Sequence, residues 1–167
     1  MSALVKESTH ATWARFVRAS EAKAQGIGGS VRPPPLHPEA FAAKLARKVF
    51  TNGKSDLEMV AGIYARTLDG AFGGAERLWF MDAGWGDEEV KAFAKVLTLA
   101  RSVKYLNLYG NDIGADGWRA LAEAIEEGGA PRLRAICPCG FPPAWPTSDG
   151  GALKRACEAR GIGLWIY

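Results

Sequence analysis

From residue 75 onward, two spacings of apolar residues alternate along this chain. Short stretches carry apolar residues at every second position, and most are followed by a longer stretch in which they recur every three to four. Leu78 and Phe80, Leu106 and Leu108, Ile136, and Leu164 with Ile166 mark the first kind. Phe93, Val96 and Leu97, then Trp118, Leu121, Ala122 and Ile125, then Leu153, Ala156 and Cys157 mark the second, and they predict helices over residues 87–99, 115–127 and 149–160. The strand markers Leu78, Leu106, Ile136 and Leu164 lie 28, 30 and 28 residues apart, so four units share one register. Strands joined through helices by short connections predict a parallel sheet, with strands over 77–81, 105–109 and 163–167. In the third unit Pro138 stands where an inward apolar residue belongs, and residues 139–146 replace a compact turn, which predicts an irregular loop.

Upstream, Phe41, Leu45 and Val49 space one amphipathic helix, and Leu57, Val60, Ile63, Tyr64 and Leu68 space another. Together they read as a cap over the apolar end of the first unit. Residues 8–25 set Trp13, Phe16 and Val17 on one side of a further helix, which the glycines of 26–29 terminate. The run from Val31 to Pro38 is rich in proline, which fixes φ and removes donors, and so reads as an extended connector. The expected organisation is an arm and connector over 1–37 and a capped repeat domain over 38–167.

The segment Leu106-Asn-Leu-Tyr-Gly-Asn-Asp-Ile-Gly114, followed by Gly117 and residues 121–125, resembles the ribonuclease-inhibitor-like subfamily of leucine-rich repeats. Residues 75–99 and 132–167 fit that pattern more loosely, so the resemblance covers about residues 75–167. It implies an α/β right-handed solenoid with a parallel sheet on its concave side and helices on its convex side. It also implies a protein-binding scaffold, some relatives being regulators of nucleases or small GTPases. The family's turn asparagine is present as Asn111, but Ala83 holds the matching place in the preceding unit.

If Leu106 and Leu108 point inward, alternation turns Tyr105, Asn107 and Tyr109 outward. By the same register Arg77, Trp79 and Met81, Ala135, Cys137 and Cys139, and Gly163, Trp165 and Tyr167 share that face. Tyr, Trp, Met and Arg are types enriched in protein interfaces. Arg77, Trp79, Met81, Tyr105, Asn107, Tyr109, Trp165 and Tyr167 are therefore the candidate partner-binding residues. The alternative is that the arm or the proline-rich loop with Trp145 folds back over these rings.

Other chemistry finds little support in the sequence. A net charge of +3, with Lys and Arg dispersed among Asp and Glu, gives no nucleic-acid footprint, and no apolar run is long enough to span a bilayer. Three cysteines make no even disulfide framework, which favours a reducing compartment, the cytoplasm before an organelle interior. The basic residues Lys6, Arg15 and Arg18 suit an organelle-targeting helix, but Glu7 and Glu21 count against it. Cys137 and Cys139 could share one side of a strand as a metal or redox pair, yet Cys157 belongs to a helix, and the only imidazoles are His10 and His37. No phosphate loop, nucleophile elbow or zinc-protease motif is present, and Asp87–Glu89 open a helix, where negative charge is favoured by the dipole. The expectation is a protein-interaction module, an accessory subunit of a larger assembly that binds through the aromatic concave face, through docking of the N-terminal arm over 1–37, or through both, with no catalytic residue, metal or cofactor. A regulator of a small GTPase or nuclease, or an enzyme using Cys137 and Cys139, stand as the alternatives.

Overall fold

The structure, a computed structural model, describes residues 32–50, 53–138 and 150–165, all within one compact unit, Val31–Tyr167. Helix α1 (Pro38–Leu45) opens with proline at a position whose N–H would have no partner in any case. Its Phe41 stacks on Tyr64 of helix α2 (Lys54–Gly74), ring centroids 3.7 Å apart. The same tyrosine anchors the connector: its hydroxyl accepts from the Leu36 N–H at 2.9 Å and donates to the Leu36 carbonyl at 2.8 Å. At the other end Arg32 donates its N–H to the Ala83 carbonyl (3.0 Å), and its own carbonyl accepts from Trp85 Nε1 (2.6 Å). Because Pro33, Pro34 and Pro35 lack an N–H, the strap is tied down at the residues on either side of them. The predicted helix over 8–25 lies outside the described residues.

Next come β1 (Arg77–Trp79), α3 (Asp87–Ala94) with a 3-10 turn at Leu97–Leu99, β2 (Tyr105–Asn107), α4 (Ala115–Glu126), β3 (Ala135–Cys137), α5 (Gly151–Ala159) and β4 (Gly163–Leu164). The four strands form one parallel sheet in chain order, with Leu78 opposite Leu106, Leu106 opposite Ile136 and Ile136 opposite Leu164. The spacing of 28, 30 and 28 residues read from the sequence is therefore the register of the sheet. The strands are shorter than expected. Past Trp79 the backbone meets its neighbour through single bonds, Phe80 N–H to the Asn107 carbonyl (2.8 Å) and Asp82 N–H to the Tyr109 carbonyl (2.9 Å). Strand β3 stops at Cys137, before Pro138, which has no donor to continue the ladder. The expected irregular loop after it lies outside the described residues.

The core is one cluster. Leu78, Leu106 and Ile136 from the strands meet Val90, Phe93, Leu97, Trp118, Leu121, Ile125, Leu153, Ala156 and Cys157 from the helices and the 3-10 turn. All the helix positions assigned an inner face between Phe93 and Cys157 are buried. Phe80 and Leu164 are half-buried and pack against this core, and Ile166 lies outside the described residues. Of the cap residues, Leu68 is buried while Phe41, Leu45, Leu57 and Tyr64 are half-buried. Val49, Val60 and Ile63 are exposed, against expectation, and helix geometry accounts for Val49 and Ile63. Helix α1 ends at Leu45, so helical spacing no longer applies to Val49. On α2 the inward stripe runs Tyr64, Leu68, Phe72, at intervals of four, and Ile63 lies about 100° round the helix from it.

Polar groups tie successive units together. Asn111, in the turn after β2, accepts on Oδ1 from the Ala83 N–H (3.1 Å) and the Trp85 N–H (3.0 Å) of the preceding turn. Its amide donates to the carbonyls of Phe80 (2.7 Å) and Leu108 (2.8 Å). One asparagine thus serves both turns, and Ala83 needs no side-chain oxygen of its own. Asp87 does the same for helices: its Oδ1, at the start of α3, accepts from the Gly114 N–H (2.7 Å) and Gly117 N–H (3.0 Å) at the start of α4.

Candidate protein-binding face

The face of the sheet turned away from the core is built by alternation. Across the strand starts runs the row Arg77, Tyr105, Ala135, Gly163, each opposite the next. The last two members are small, and that allows the large rings to meet over them. A Cβ on Gly163 would sit 3.8 Å from Trp165 Nε1, so the indole lies back over this glycine. There it meets the Tyr105 ring at 6.0 Å between centroids, tilted by 44°, above the buried Ala135. On the other side of Tyr105 the Arg77 guanidinium stands 5.6 Å from the ring centroid, within cation–π range. Guanidinium, phenol and indole form a continuous array across four strands.

The next row holds Trp79, Asn107 and Cys137. Trp79 is 44% exposed and Trp165 40% exposed, while Met81 and Tyr109 are half-buried. Of the candidate residues, Arg77 and Trp165 each lie in contact range of Tyr105, and Trp79 stands in the adjoining row opposite Asn107.

Asn107 is a correction. It is 5% exposed, and its Oδ1 turns back along its own strand to accept the Tyr109 N–H at 2.9 Å. A short side chain folded onto its backbone next to Trp79 presents nothing to a partner, so Asn107 shapes the strand end instead. Ala135 and Cys137 are buried on the same face, so the accessible area is divided between the two edges of the sheet. Tyr167 lies outside the described residues, as does Cys139.

Among the described residues neither cysteine is poised as a nucleophile. Neither Cys137 nor Cys157 forms a disulfide, and both are buried. Burial pushes the Cys157 thiol up to about 11, the reverse of what a reactive thiolate needs. Among the described residues no three His, Cys, Asp or Glu side chains gather so as to hold a metal ion. The acidic run is structurally employed: Asp87 at the start of α4, Glu89 accepting the Gly86 N–H at 3.0 Å, and Glu88 paired with Lys91 at 2.8 Å. His37 is half-buried, 3.9 Å from the Glu39 carboxylate.

The sequence reading missed the basic residues along the lower edge of this face. Lys104 immediately precedes β2, and Arg132 and Arg134 lead into β3. The signal was available, since Lys104 and Arg134 occupy matching positions of neighbouring units, 30 residues apart.

Among the described residues no helix is long and apolar enough to cross a membrane. No protein-family model matches the chain, and no curated protein matches it.

Proposed function

We propose that this chain is a short leucine-rich repeat arc that works as a protein-interaction module in a reducing compartment such as the cytoplasm, an accessory subunit held to its partner through the outer sheet face. The observation that carries the reading is the array of Arg77, Tyr105 and Trp165, flanked by a Trp79 that leaves 44% of its surface in water. A sheet face that met only solvent would be served by Thr, Lys or Glu, whereas amphipathic rings and a guanidinium are what buried interface centres use. The repeat assignment is supported by the 28, 30 and 28 residue register and by the asparagine shared between two successive turns.

The test is capture from native lysate by wild type, by Trp79→Ala and by Trp165→Ala, with melting temperatures measured in parallel. A specific protein retained by wild type, weakened roughly 30-fold or more by either substitution at unchanged melting temperature, is the expected result. Equal capture by all three proteins would overturn the proposal, as would substitutions that lower the melting temperature and leave capture intact.

A further inference from the structure

The lower edge of the aromatic face is a basic cleft. Lys104, Pro131, Arg132, Leu133, Arg134, Arg160 and Gly161 line a shallow hollow of about 570 Å3. Four of these side chains are cationic, but two are already committed. Arg160 donates from Nη1 to the carbonyls of Ile125 (2.7 Å) and Gly129 (2.8 Å) and from Nη2 to that of Ala130 (3.2 Å), which satisfies the turn after α4 without cancelling its charge. Lys104 is bonded to Glu76. Arg132 and Arg134 are exposed, and among the described residues neither has an ion-pair partner. The Glu76 carboxyl is held below its usual range mainly by the hydrogen bond and charge of Lys104, with smaller contributions from Arg77 and Arg132.

This edge is continuous with the rings. The Arg134 carbonyl accepts the Gly163 N–H at 2.8 Å, and the Trp165 indole lies over that glycine. Resting on the proposed interaction function, we infer that the partner presents an acidic segment whose carboxylates lie along Arg132 and Arg134 while an adjoining apolar side chain packs on Tyr105 and Trp165. Arginine's planar fork suits carboxylates, and among the described residues neither of these two has an ion pair to give up in taking one. A stacked nucleic-acid strand fits less well. The Tyr105 and Trp165 rings meet at 6.0 Å between centroids with their planes inclined by 44°, which leaves no parallel slot for a base between them, and Arg77 already stands by Tyr105.

The probe is a fluorescein-labelled random copolymer of glutamate and tyrosine, titrated with the full chain and followed by fluorescence anisotropy. A labelled oligo-thymidylate of similar length is run alongside. Binding of the copolymer should weaken as salt rises, and Arg132→Glu with Arg134→Glu should raise Kd by about tenfold or more. The paired control Arg47→Glu with Lys48→Glu, which changes net charge equally at exposed positions elsewhere, should change Kd by less than about threefold. Arg132→Gln with Arg134→Gln should give an intermediate loss without charge reversal, and circular dichroism monitors the fold of each. Equal losses in the edge and control variants, no copolymer binding, or tighter binding of the thymidylate would each overturn the inference. Trp165→Ala separates it from the broader reading. If the tryptophan variant weakens the copolymer and the arginine variants do not, the aromatic face stands without an acidic partner; the converse leaves the basic edge and removes the face.

Discussion

At the scale of single residues, the side chains that matter most are those that serve two units at once. Asn111 satisfies two backbone donors in one turn and carbonyls in both. Asn111→Ala should therefore leave the Ala83 and Trp85 N–H groups without that partner and cost roughly 2 to 3 kcal/mol, read as a lower urea midpoint at unchanged slope. A loss under about 0.5 kcal/mol would mean that water replaces the carboxamide. Gly110 carries a different constraint. It has φ +72°, and a Cβ there would overlap Asp82 Oδ1, while Asp82, 28 residues earlier, occupies the matching left-handed turn position at φ +47°. Cys157 gives a pH signature. Its folded value, about 11, lies above the ordinary 9.0, so burial favours the protonated thiol. That contribution is complete below pH 9.0 and is lost as pH rises toward 11. The alkaline decline in stability should accordingly be shallower in Cys157→Ala than in wild type, and the wild-type thiol should react with alkylating reagents at pH 8 only as fast as the chain opens.

At the scale of elements, helix start signals are met by neighbours in the fold. Helix α4 begins after Gly114 with no side-chain cap of its own, and its first amides are met by Asp87 from α3. Asp87→Ala should cost about 1 to 2 kcal/mol, in the range of an N-cap deletion, and Asp87→Asn should recover part of it because its carbonyl oxygen can still accept. Thermal melts of the two variants check this ordering, and equal melting temperatures for Asp87→Ala and wild type would remove the role. Gly117 belongs to the same device: a Cβ there would come within 2.7 Å of Asp87 Oδ1 and Ile113 Cγ2, so close approach of α3 and α4 requires glycine. Apolar spacing could not announce this pairing, because its only trace in the sequence is a carboxylate 27 and 30 residues before two glycines.

At the scale of the whole molecule, the sequence disclosed what depends on period. The register of four parallel strands and the buried faces of α3, α4 and α5 follow from Leu78, Leu106, Ile136 and Leu164 and from the helical spacing after them. What depends on a single long-range contact was illegible. Trp85, 1% exposed and stacked on Phe80 at 4.6 Å, sits in a turn where neither period applies, and its indole N–H reaches a carbonyl 53 residues away. The candidate face shows the same division: alternation orients Arg77, Trp79, Tyr105 and Trp165, but it cannot foresee that Asn107 folds onto its own strand. The shared core also fixes how the molecule comes apart. Leu106, 2% exposed, lies on the second of four strands, opposite Leu78 on one side and Ile136 on the other, so its removal is felt by three units together. Leu106→Ala should cost roughly 2 to 5 kcal/mol by leaving a cavity that no single unit can close. Because the cluster is contiguous from Leu68 to Ile162, unfolding should remain one transition, with tryptophan fluorescence and far-ultraviolet dichroism giving coincident curves in wild type and variant alike. Curves that separate in Leu106→Ala, with β3 and β4 holding native amide protection after β1 is lost, would show that the units fold independently and that the core is shared in geometry but not in energy.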